Sequence, residues 1–177
     1  MSELTKRFQS IIEGKTFRKQ KNSDPISMMF NAQALQKFVN SIEVGNDPIS
    51  DPHIFKGQFI AVPVLLALSM EVALKAWWVR EVKDKELPKT HDLLKLFDGL
   101  PEQTRIRLEN SHPVLLNPDH PKLPPFRQGL RSLLASNSAK FVEWRYPHEI
   151  LHSSFPNGEF KAALSSVIDE FFKEVAR

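Results

Sequence analysis

Residues 148–152, His148-Glu149-Ile150-Leu151-His152, spell H-E-x-x-H. On a helix the two histidines stand one turn apart on one face, where both imidazoles reach a zinc ion and Glu149 serves as the base for its bound water. Such a site needs a third ligand. Phe155 stands where the extended H-E-x-x-H-x-x-G pattern places Gly, and Pro156 cuts the motif helix short. The downstream carboxylates Glu170 and Glu174 belong to a helix whose apolar stripe already accounts for it. A second constellation lies upstream in SMEVALKAWW, where Glu71 and Lys75 are four residues apart and share a helix face. On an exposed helix this pair would contribute only about 0.3 kcal/mol. Its surroundings are apolar, and a charge buried there requires partners.

The elements that must position these residues are helical. Asp24-Pro25 offers an N-cap followed by Pro at the first helical position, and Met28, Leu35, Phe38, Val39 and Ile42 recur at helical spacing up to about Gly45. After the bend NDPISDPHIF comes FIAVPVLLALSMEVALKAWWV, an apolar run long enough to raise the question of a membrane span. Glu71 and Lys75 speak against one, at about 3 kcal/mol each near a bilayer centre; a central core helix, started or kinked by Pro63, explains the same letters. QFIAV reads as a strand only if the helix begins at Pro63. THDLLKLFDGL predicts a short helix capped by Thr90, with Leu93, Leu94, Leu96 and Phe97 on its buried side. Pro101 restarts the chain into PEQTRIRLEN. Residues 113–125 hold five prolines and read as a surface loop. A helix follows over about 126–144, with Leu130, Leu133, Leu134, Phe141 and Val142 apolar. The last runs from about Gly158, with Phe160, Leu164, Val167, Ile168, Phe171 and Val175 facing inward. The fold class is therefore all-α, an antiparallel helical bundle.

Composition bounds the chemistry. The chain has 177 residues, enough for one compact domain, and no Cys, so a metal would rest on His and carboxylates alone. Residues 1–23 carry Lys6, Arg7, Lys15, Arg18, Lys19 and Lys21 against Glu3 and Glu13, a local charge of +4 within an overall +3. They read as a basic, solvated arm ahead of a bundle over 24–177, and the bundle has no broad cationic face for nucleic acid. The charged N-terminus lacks the apolar core of a secretion signal, and a cytoplasmic location without a membrane partner is expected.

Taken in order, E-x-x-x-K on the central helix, K-T-H-D-L-L-K-L-F at the next and F-V-E-W-R-Y-P-H-E near the end resemble the HEPN superfamily over about residues 59–150. The resemblance is carried by Glu71, Lys75, Lys89, His91, Asp92, Leu93, Trp144, Arg145, Tyr146 and Glu149. It implies a small antiparallel bundle, commonly a homodimer. Some relatives are metal-independent ribonucleases of toxin or defence systems; others are non-catalytic partners of nucleotidyltransferases or ligand-binding modules. It also offers another origin for the opening motif, since Glu149 then completes R-Y-x-x-E and His148 carries little consequence.

The resemblance further matches Arg145 and His152 to the family's catalytic Arg and His. Metal-free RNA cleavage needs a base for the 2′-OH, an acid for the leaving oxygen and a cation for the phosphorane. Pro147 interrupts that pair, and Tyr146 replaces the usual polar residue after the Arg. The competing reading makes Glu71, Lys75, His91, Asp92, Arg145, Tyr146 and Glu149 an internal polar network that fixes helix packing, with Arg145 reaching Glu71 or Asp92. That reading makes the chain a binding or assembly module without a cofactor. His112, Asp119 and His120 fit no ligand spacing and read as turn residues. Trp77 and Trp78 point about 100° apart, so one of them is expected at a partner subunit.

Overall fold

Asp24 and Pro25 start the first helix. Pro at the first helical position gives up an N–H that has no intrahelical acceptor, and the Asp24 carboxylate accepts the backbone N–H of Ile26 at 3.2 Å and of Ser27 at 3.1 Å. The computed structural model describes residues 24–43, 52–82, 86–112, 129–138 and 156–177. Helix α1 spans Pro25–Glu43. Its core side is Met29, Ala32, Gln36 and Val39, spaced three and four residues apart as one face requires. Phe38, expected on this side, is 55% exposed: Val39 occupies the inward position, and its neighbour points about 100° away.

Helix α2 spans Pro52–Glu81 and runs through Pro63. QFIAV is helical, and Pro63 neither starts the helix nor ends it; it removes one backbone donor from a segment held by packing on its neighbours. Val62, Leu66, Ala67, Met70, Ala73, Leu74, Ala76 and Trp77 are all buried, too many positions for a single stripe. By length and composition α2 could cross a membrane, yet 56% of its most apolar stretch is buried by the rest of the chain.

Two hydrogen bonds lash α1 to α2. Ser69 Oγ donates to the Ala32 carbonyl at 2.7 Å, and Gln58 Nε2 donates to the Ile42 carbonyl at 3.3 Å. Helix α3 (Leu93–Asp98) buries Leu93, Leu96 and Phe97. Its cap is Asp92 rather than Thr90: the Asp92 carboxylate accepts the Lys95 N–H at 3.0 Å, while Thr90 Oγ1 accepts the Asp92 N–H at 3.1 Å one step earlier. Helix α4 (Glu102–Ser111) follows Pro101, as predicted. Helix α5 (Leu130–Ser136) buries Leu130, Leu133 and Leu134; residues 113–128 and 139–144, including Phe141 and Val142, lie outside the described residues.

Helix α6 (Asn157–Val175) buries Phe160, Leu164, Val167, Ile168 and Phe171 as predicted, each contributing roughly 1.5–3 kcal/mol relative to exposure. Val175, the last helical residue, is 37% exposed because the core ends a turn earlier. The α2–α6 contact is set by Trp77, whose Nε1 donates to the Val167 carbonyl at 3.1 Å and whose ring meets Phe171 edge-on at 5.2 Å. Glu174 adds a second tie, accepting Arg107 of α4 at 3.1 Å on its carboxylate and Arg80 of α2 at 3.2 Å on its carbonyl. Among the described residues every regular element is a helix and none is a strand, so the all-α expectation holds.

Candidate functional site

Glu71 sits in the third quarter of α2 with its side chain 6% exposed. Lys75, one turn on, reaches Oε1 at 2.7 Å. His91 comes from the extended segment that leads into α3, and its Nδ1 lies 3.1 Å from Oε1 and 3.0 Å from Oε2. The carboxylate accepts and the imidazole Nδ1–H donates. Two residues thus meet a carboxylate that has left water, which offsets the cost of burying it. Exposure rises outward, from Glu71 through Lys75 at 15% side-chain exposure to His91 at 58%.

This arrangement brings together three of the residues singled out from sequence. Asp92 is not a fourth member. Its backbone takes φ −77°, ψ 108°, the conformation of an N-cap, so its carboxylate serves the first turn of α3 and lies 3.5 Å from Lys95 Nζ. Lys89 is exposed. Trp144, Arg145, Tyr146, His148, Glu149 and His152 lie outside the described residues, and with them the Arg–His pair and the H-E-x-x-H segment. Among the described residues no group of three or more His, Asp or Glu side chains could hold a metal ion.

Trp77 is fully buried, whereas Trp78 is partly buried against the core and rests on Gly99 just after α3, so both rings have neighbours within the chain. His112 caps the end of α4 at 5% exposure rather than standing in a solvated turn, and its backbone N–H donates to the Leu108 and Glu109 carbonyls. Asp119 and His120 lie outside the described residues.

Sequence reasoning missed a second cluster, where α3, α4 and α5 meet. Gly129 precedes α5 and has no side chain to cap it. The Glu109 carboxylate of α4 does so instead, accepting the Leu130 N–H at 2.8 Å and the Arg131 N–H at 2.7 Å. Arg131 then grips Asp98 with two bonds, Nε to Oδ1 at 2.9 Å and Nη2 to Oδ2 at 2.8 Å. Those hydrogen bonds hold the Asp98 carboxyl below its ordinary pKa, with added help from the charges of Arg131 and Arg105 against a smaller opposing effect of burial. A glycine before a helix hints at an outside cap, but nothing local says which carboxylate arrives. No family model, no curated protein and no solved structure matches the chain.

Proposed function

We propose that the chain is a HEPN-like antiparallel helical module that acts by binding or assembly, as a homodimer and as partner of a nucleotidyltransferase or part of a toxin or defence system. The observation that carries this reading is the shared Glu71 carboxylate: the E-x-x-x-K and H-D-L motifs meet, and their charges are absorbed by one another. A network so satisfied fixes helix packing. Antiparallel neighbours would make the contacts seen between α1 and α2, where Ala32 pairs with Ser69 and Ile42 with Gln58, so that one number rises as the other falls. The same order relates α1 to α6, with Phe30 against Phe172 at 5.1 Å and Gln36 Nε2 donating to Ser165 Oγ at 2.7 Å. Ile26, Phe30, Ala34 and Phe38, each four residues on from the last, are exposed on α1 and supply an apolar strip for a second copy.

The test is co-expression with a nucleotidyltransferase from the same genome, followed by light scattering of the purified material. The reading expects co-purification at fixed stoichiometry, two copies of this chain, and no RNA cleavage in EDTA. Cleavage in EDTA that disappears in Arg145→Ala or His152→Ala replaces it with the metal-independent ribonuclease. One zinc per chain, lost in His148→Ala and His152→Ala, replaces it with the hydrolase.

A further inference from the structure

We propose that residues 4–12 fold back as an amphipathic helix over the exposed strip of α1 in their own chain, and that a second copy must displace them to bind there. The competition rests on the homodimer reading, whereas the fold-back stands without it. Ile26, Phe30 and Phe38 are 38%, 49% and 55% exposed, and Phe30 keeps that exposure with Phe172 already against it. Ala34 between them is exposed as well. A contiguous row of large apolar side chains in water marks a face that takes an occupant. The contact is an apolar one, because Lys37 is the sole ionisable side chain from Ile26 to Ile42.

Residues 1–23 lie outside the described residues, and their sequence answers that row. Behind the charge of +4, Leu4, Phe8 and Ile12 repeat every four residues with Ile11 beside them, the spacing of Ile26, Phe30, Ala34 and Phe38. Rows of this kind interdigitate when two helices pack. Ser2 and Glu3 at the start of the stretch and Gly14 past its end suit a helix there. Laid antiparallel on α1, Ile12 meets Phe30, the bulky Phe8 meets the small Ala34, and Leu4 meets Phe38, which brings Glu3 to Lys37. The tether permits this. Residues 13–23 span up to about 36 Å when extended, while Phe30 stands only about 9 Å along the helix axis from Asp24. A segment tethered so closely competes at an effective concentration on the order of millimolar.

The chain has no Cys, so Ser10→Cys, on the polar side of the row, takes a single spin label in the full chain. At concentrations where the protein is monomeric, the label is expected to broaden the NMR signals of the amides of 30–38. Those signals are expected to stay sharp when the label sits on a different chain from the observed amides. Leu4→Ser with Phe8→Ser is expected to abolish the broadening and to tighten the dimer in sedimentation equilibrium. The gain is about tenfold where each arm covers its strip about two thirds of the time, because both copies must free a strip. A poorly folded variant would lose affinity instead. The proposal is overturned if the amides stay sharp, if broadening passes only between chains, or if the double variant leaves an existing dimer unchanged or weaker. Broadening within one chain and no dimer in either protein keeps the fold-back and overturns the homodimer; a dimer with sharp amides does the reverse.

Discussion

The Nδ1 atom of His91 lies 3.0 and 3.1 Å from the two carboxylate oxygens of Glu71, twenty residues earlier in the chain. Lys75 Nζ meets Oε1 of the same carboxylate at 2.7 Å. With Glu71 only 6% exposed, replacing it by Gln leaves the largely buried Lys75 ammonium without its counter-charge and sets an amide NH2, a donor, where one carboxylate oxygen accepted. Glu71→Gln is expected to destabilise the fold by about 3 kcal/mol, lowering Tm by roughly 6–12 °C for a chain of this size. Lys75→Met in the same background is expected to recover part of that loss, because it removes the orphaned cation. Thermal melts followed by circular dichroism measure both.

The capping of α5 by Glu109 makes a separate prediction. Glu109→Ala leaves the Leu130 and Arg131 N–H groups without the acceptor they have now. The expected loss is about 1 kcal/mol, as for other caps. Amide hydrogen exchange should quicken in 130–136 and leave the exchange of α2 nearly unchanged; uniform quickening would mean that α5 opens only with the whole domain.

Gly99 is required for space. Its φ of −76° is open to any residue, but a Cβ there would stand 2.6 Å from Cζ3 of Trp78. Gly99→Ala is expected to cost about 1–3 kcal/mol through the shift it forces on α3 or on the indole. Trp78→Leu should relieve most of that penalty in the double variant, as read from urea midpoints.

The Asp98–Arg131 pair sets a weak acid dependence. The folded state holds the Asp98 carboxyl below its ordinary pKa through the Arg131 hydrogen bonds. A depressed folded value contributes stability above the unfolded value, and that contribution is lost as pH falls through the folded one. With side chains 34% and 56% exposed, the amount is about 0.5 kcal/mol or less after screening. Asp98→Asn should flatten the acid fall of the urea midpoint and make it less sensitive to salt, its small loss being present at pH 7 and vanishing as the two proteins converge in acid.

How far the sequence reaches is visible in particular residues. The helical class, the cap of α1, the restart after Pro101 and the inward face of α6 follow from periods and turn residues that act locally. Phe38 was misplaced because Phe38 and Val39 fit the same pattern on opposite readings of one helix, and only packing against α2 chooses between them. Asp92 was assigned to the polar cluster because Thr90 and Asp92 are both good caps, and two residues of register decide which one frees its side chain. Glu71, Lys75 and His91 were legible only as members of a wider polar network, since a charge inside an apolar run must find company but its partners are not named by the run itself. Glu109, Asp98, Arg105 and Arg131 were not, because exposed arginines and carboxylates on amphipathic helices carry no mark of which partner tertiary folding delivers.

The direct test of the shared carboxylate is a double-mutant cycle between Glu71→Gln and His91→Gln, with stabilities taken from urea denaturation. A coupling of at least about 1 kcal/mol is predicted for residues joined in one network. Additivity within about 0.5 kcal/mol, the behaviour of residues that share no partner, would contradict it.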